Sequence, residues 1–186
     1  MPRQFTLHRP SEDDWQSIRD LRIRAVTDTP IAFLETREDA LAVDEEGWRK
    51  RARRNVAEDS TQVVAIDPDG RWVGSMICFV SEGSPSYIAV PRPGPPRANL
   101  VGVFVDPDWR GAGGVTDALL EEIARWATDD KGLTELYLHV NEENPRALRA
   151  YEKRGFVRTG MVDAIPEQPG DREVEMVATL PLAQQG

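Results

Sequence analysis

Cysteine is nearly missing from this 186-residue chain, with Cys78 its only example. No internal disulfide can form, and two histidines beside one thiol are too few ligands for a structural zinc site, so no metal is expected. Cys78 sits in the apolar run 72–80 and reads as a buried, inert thiol. Long apolar stretches are missing too. None is long enough to span a bilayer, and the opening residues MPRQFTLHRP hold no apolar signal core. The expectation is a cytoplasmic protein with no membrane partner. A basic excess is the third absence: 23 Lys and Arg stand against 32 Asp and Glu, a net charge of −9. That balance argues against a nucleic-acid partner and suits a cationic substrate, although acidity also serves solubility.

What is present is a globular composition. Hydrophobic residues make up 40%, and 5 Trp, 5 Phe and 3 Tyr can anchor a core, which excludes disorder, collagen and coiled coil. The length fits one domain over residues 1–186. Residues 4–8 read as a first strand. Ser11 precedes Asp14 at capping-box spacing, and Trp15, Ile18, Leu21, Ala25 and Val26 follow on one helical face up to Thr29-Pro30. A second helix is predicted over 44–55, its Arg49, Lys50, Arg51, Arg53 and Arg54 forming a solvated basic face. A hairpin follows, 61–66 and 72–80 about the turn 67–70. Residues 84–97 hold five prolines and read as a loop. Then come a buried strand 98–106, a helix over 115–129, a strand 134–140, a helix opened by Asn144-Pro145 and stopped by Gly155, and strands at 156–162 and 172–180. The order is that of an α/β protein built around a mixed sheet.

Two segments carry chemistry. In the first, 100–116, a strand runs into the turn Arg110-Gly111-Ala112-Gly113-Gly114 and a helix start at Val115-Thr116. Small residues let backbone amides approach a ligand, the helix start offers unpaired N–H groups, and Arg110 adds a positive charge, which together suit a pyrophosphate. A tight strand-to-helix turn would need the same glycines for its backbone alone. Gly113-Gly114-Val115 lacks the Gly-Lys-Ser/Thr of a nucleoside-triphosphate loop. A dinucleotide fingerprint fits only as Gly111-x-Gly113-x-x-Thr116, with Glu142 or Glu143 as its acidic partner.

The second segment, 136–156, contains Asn144, Ala147, Tyr151, Gly155 and Phe156. Taken together, the two segments resemble the GCN5-related N-acetyltransferase (GNAT) family. Val-x-Pro-x-x-Arg-Gly-x-Gly is matched by Val105, Pro107, Arg110, Gly111 and Gly113, and Asn-x-x-Ala-x-x-x-Tyr-x-x-x-Gly-Phe is matched at every position. The resemblance spans about residues 3–182, with its specific motifs inside 98–160. One departure is Val115, where family members carry Gly or Ala, together with a turn one residue longer than usual.

The resemblance implies a three-layer fold: a central mixed, largely antiparallel sheet with a splayed parallel strand pair, and helices on both faces. It implies acetyl-CoA as co-substrate and a primary amine of a small molecule or of a peptide or protein N-terminus as acceptor. Val103, Phe104 and Val105 would meet the pantetheine arm, residues 110–116 the pyrophosphate, and Asn144 the arm or acetyl end. Tyr151 would be the general acid for the leaving thiolate, also touching the cofactor, and its ordinary pKa near 10 keeps it protonated at neutral pH. His139 occupies a position used as a base by some members, and imidazole titrates in the right range. A strand histidine without a chemical role, a non-catalytic CoA-binding sensor and a dinucleotide-binding module are the alternatives. The acceptor would meet residues 33–36 and 82–97. A homodimer is expected by extension of the sheet at strand 172–180.

Overall fold

A computed structural model describes residues 4–85, 92–111, 114–164 and 170–182. Twelve elements follow one another: β1 (Thr6–His8), α1 (Trp15–Asp28), α2 (Arg37–Ala42), α3 (Glu45–Asn55), β2 (Ser60–Ile66), β3 (Trp72–Glu82), β4 (Pro96–Val105), α4 (Val115–Arg125), β5 (Glu135–Asn141), α5 (Pro145–Glu152), β6 (Val157–Ala164) and β7 (Arg172–Thr179). The strands form a seven-stranded mixed sheet in the order β1-β2-β3-β4-β5-β7-β6, with β4 and β5 parallel. The α/β class and the splayed parallel pair expected from the sequence rest on this order. The chain divides into two compact units, Met1–Cys78 with Gly102–Ile123, and Phe79–Val101 with Ala124–Gly186.

In the first unit the capping box forms as the spacing predicts: the Ser11 hydroxyl accepts from the Asp13 amide, and the Ser11 amide donates to Asp14. The α1 helix then buries Ile18, Leu21, Ala25 and Val26, and packs with Trp48 and Ala52 of α3 and with Val64, Trp72 and Phe104. Each large apolar side chain enclosed there contributes roughly 1.5–3 kcal/mol. The basic run on α3 is only partly a solvated face. Arg49 and Arg53 pair with Glu45 and with Glu12 and Glu46, while Arg51 turns back over the Trp48 ring and pairs with Glu35 at 2.7 Å. The short helix α2 goes unnoticed in the sequence reading. Its Thr36–Asp39 capping box repeats the Ser11–Asp14 device, but six residues hold too few apolar positions to show a period.

The second unit is built on the antiparallel ladder β5-β7-β6. Leu136, Leu138 and Val140 stand opposite Ala178, Met176 and Val174, and all six are buried. The strand β7 is interior and β6 is the edge strand, which corrects the expected sheet extension at 172–180: both sides of β7 already hold partners. The segment 84–97 is less of a loop than its prolines imply. Ser84 and Arg92 exchange backbone and hydroxyl hydrogen bonds, and Pro96 already begins β4, while 86–91 lie outside the described residues. No helix among the described residues is long and apolar enough to cross a membrane.

Candidate functional site

In the first unit, Gly102 interrupts what the sequence presents as one continuous strand. β4 pairs with β5 through Ala98, Asn99 and Leu100 and no further. Two residues on, Gly102 takes φ +59°, a left-handed value strained for any other residue, with Ile77 Cδ1 3.1 Å from where a Cβ would stand. A lone glycine inside a strand pattern is the available signal for such a bulge, and the sequence reading passed over it. Beyond it, Val103 is half-buried, Phe104 turns into the α1–α3 core and Val105 is buried.

The side chain of Arg110 does not reach outward. Its Nε donates to the Val105 carbonyl at 2.8 Å and its guanidinium ion-pairs with Asp28 on α1, so it braces the turn from behind. Gly111 and Gly114 both have positive φ, +77° and +72°. Ala112 and Gly113, named as cofactor contacts, lie outside the described residues. The Gly114 carbonyl accepts the Ala118 amide and starts α4, so the amides of Val115, Thr116 and Asp117 occupy the first turn, where no carbonyl of the helix itself can receive them. Val115 is fully buried, its Cγ1 3.0 Å from where a Cβ of Gly74 would be. The bulk at Val115 stands against a glycine on β3. Thr116 is half-buried at the second helical position. The first-turn amides of α4 are thus backbone donors of the kind that can receive an anion. Beside them Asp106 ties Arg24 at 2.7 Å and Arg71 at 2.9 Å, and an open pocket is lined by Ile23, Arg24, Thr27, Phe104 and Pro107.

In the second unit, Asn144 caps α5, its Oδ1 accepting the Ala147 amide at 3.1 Å, with Pro145 at the first helical position. The side-chain amide nitrogen has no partner among the described residues and remains a donor. Tyr151 packs edge-on against Phe156, ring centroids 5.5 Å apart, and its hydroxyl has no hydrogen-bond partner among the described residues. Burial pushes the phenol's pKa well up, only partly offset by Arg154, so the proton stays on.

His139 lies in a network the sequence reading did not anticipate. Its side chain is 2% exposed, with Nε2 3.4 Å from Glu175 and 3.9 Å from Asp163. Arg92 clasps Asp163 with both guanidinium nitrogens, at 2.8 and 3.0 Å, and Arg97 bonds Glu175 at 2.8 Å. Burial alone would raise the Glu175 pKa, but the nearby His139 and hydrogen bonds from Arg97 and Thr159 overcome it and hold the carboxyl down at about 2. Glu173 goes the other way, raised by burial and the Asp163 charge against the pull of His139. These groups come from five stretches of chain, and the signal within reach is the pair Glu173 and Glu175 alternating with Val174 and Met176 in the strand. Among the described residues no group of three or more His, Cys, Asp or Glu side chains could hold a metal ion.

The model of the Acetyltransferase (GNAT) family matches residues 15–156. A mycothiol acetyltransferase of Salinispora arenicola is 33% identical over 163 residues, covering 85% of this chain and 46% of its own length, and that of Salinispora tropica is 31% identical with the same coverage. The chain thus spans less than half the length of these curated relatives. Among solved structures, a GNAT-family acetyltransferase from Streptococcus pneumoniae superposes with TM-score 0.70 at 18% identity, covering 95% of this chain and 99% of that one. A spermidine N-acetyltransferase from Vibrio cholerae, in complex with CoA and spermine, gives 0.67 at 19% identity and 95% coverage of both chains. At those identities the likeness is one of fold.

Proposed function

The chain belongs to the GNAT acetyltransferase family, and from that premise we propose that it is an acetyl-CoA-dependent N-acetyltransferase acting on a primary amine. The observation that carries the reading is the turn behind the bulged strand. Gly111 and Gly114 are held at positive φ and the turn opens directly on the first-turn amides of α4. We assign the pyrophosphate to those amides, with Arg110 as their brace, and the pantetheine arm to the backbone of 103–105 beyond Gly102. The Asn144 amide nitrogen donates to the arm.

Acetyl-CoA brings a thioester whose carbonyl carbon accepts the amine. The N–C bond forms, the C–S bond breaks, and Tyr151 returns a proton to the departing sulfur. The phenol, with its raised pKa and an uncommitted hydroxyl, suits that donation. His139 supports removal of the ammonium proton from behind the site, because its side chain is enclosed. The reading includes a cytoplasmic setting. It also includes self-association along the edge strand β6, where Val157, Met161 and Val162 are exposed. Light scattering at high concentration tests that part, and a monomer mass rejects it.

Release of free thiol from acetyl-CoA across an amine panel, with the product identified by mass, tests the activity. The panel starts from the amines the relatives' names provide, mycothiol-related compounds and spermidine. Acetyl-CoA should raise the melting temperature and NADH should not, since ligand at 100 times its dissociation constant adds about 2.7 kcal/mol. Stabilisation by NADH instead would favour the dinucleotide module.

A further inference from the structure

We propose that Glu173 is the group that receives the acceptor's ammonium and takes its proton, with His139 and Glu175 as positioning residues behind it. The inference rests on the acetyl-transfer reading above.

Asn141, Glu173 and Asp163 stand directly opposite one another on β5, β7 and β6, and His139 and Glu175 form the next pair on the same face. The alternate positions, Val140, Val174, Leu138 and Met176, are buried and apolar. One face of this ladder is thus core and the other a row of ionisable and amide groups. The row is tied to the family motif through the backbone, because the Asn144 amide donates to the Asn141 carbonyl at 2.9 Å.

Charge accounting singles out Glu173. Two guanidinium groups, Arg92 and Arg97, face the carboxylates of Asp163 and Glu175 and are consumed by them. Glu173 brings a third carboxylate to the row, and no side chain among the described residues ion-pairs or hydrogen-bonds with it. Besides His139, two guanidinium groups meet three carboxylates, and a primary ammonium is the complement in charge and size to the third. Accessibility agrees. The Asp163, Glu175 and His139 side chains are all at most 5% exposed, whereas Glu173 is half-buried and can still meet a ligand.

The groups around it set its proton affinity: His139 and Asn141 from β5, Asp163 from β6, Glu175 along its own strand, and Arg92 held across Asp163 and Glu175. Burial and the Asp163 charge, against the pull of His139, raise its pKa and so make the carboxylate a stronger base. The step balances. The ammonium loses one proton to the Glu173 carboxylate, the neutral amine forms the N–C bond as the C–S bond breaks, and the thiolate is protonated separately by Tyr151.

The test is Glu173→Gln in the full chain, with acetyl-CoA and an amine that the parent acetylates. Turnover should fall by about 10²–10⁴-fold, the acidic limb of the pH–rate profile should disappear, and the acetyl-CoA dissociation constant from calorimetry should stay within about twofold. Glu173→Asp should recover part of the rate with a displaced limb, which a purely structural residue would not do. His139→Gln should move the limb without abolishing turnover. A glutamine variant that keeps its rate within a few-fold and its acidic limb overturns the assignment while leaving acetyl transfer intact. A parent chain that acetylates no amine overturns both. The melting temperature of the glutamine variant should equal or exceed the parent's at neutral pH, so a lost rate is not a lost fold.

Discussion

Both units carry a buried or half-buried charge cluster, and the two are balanced differently. In the first unit Asp106 is enclosed by Arg24 and Arg71, and Arg24 also donates to the Trp72 carbonyl at 2.6 Å. One carboxylate serves two guanidinium groups that reach out toward water. In the second unit two guanidinium groups face three carboxylates and a histidine, and the third carboxylate, Glu173, stays open. A fully paired cluster fixes α1 against the end of β3. A cluster with three carboxylates to two guanidinium groups leaves Glu173 with a raised pKa.

The comparison can be broken first at the chemical step. Tyr151→Phe keeps the ring against Phe156 and removes the hydroxyl; turnover should drop about 10²–10⁴-fold with acetyl-CoA affinity unchanged. A loss of only a few-fold would make Tyr151 a packing residue.

Next comes Glu175, whose depressed pKa stabilises the fold. The sign is that of a carboxyl lowered from 4.5 to about 2: its contribution is complete above pH 4.5 and fades as pH falls toward 2. Glu175→Gln should lower the melting temperature at neutral pH and flatten the loss of stability below pH 4.5. Glu173 has the opposite sign. Its raised pKa means stability declines as pH rises above 4.5 toward its folded value, and Glu173→Gln should remove that decline. Equal acid profiles for the two variants would erase the distinction drawn here.

Asp106→Asn in the paired cluster should cost about 1–2 kcal/mol, a smaller penalty because Arg24 and Arg71 remain partly in water. It should leave the pH–rate profile untouched. Gly102→Ala is smaller again, about 1 kcal/mol from the left-handed backbone and the 3.1 Å approach of Ile77. Its effect should be larger on acetyl-CoA affinity than on melting temperature if the bulge presents 103–105 to the ligand.

Local signals read well from sequence. The Ser11 box and the Asn144-Pro145 opening each depend on residues within a few positions of one another, and each forms as expected. What escaped depends on distance along the chain. That β7 is interior follows from where β6 returns, and no property of 172–180 encodes it. Arg110 is expected beside a pyrophosphate, yet it is claimed by Asp28, 82 positions away. His139 is legible as a titratable residue at a family position. Its enclosure by Arg92, Arg97, Asp163 and Glu175 is a property of three strands and a loop, and so is the isolation of Glu173.

The most direct measurement of the central claim is the mass of the amine product together with stoichiometric release of free thiol from acetyl-CoA by the purified chain. The account predicts one acetyl group gained per thiol released, at a rate that Tyr151→Phe cuts by at least about a hundredfold. Acetyl-CoA bound tightly, with no amine in the panel acetylated and no thiol released, would contradict it and mark the chain as a CoA-binding sensor.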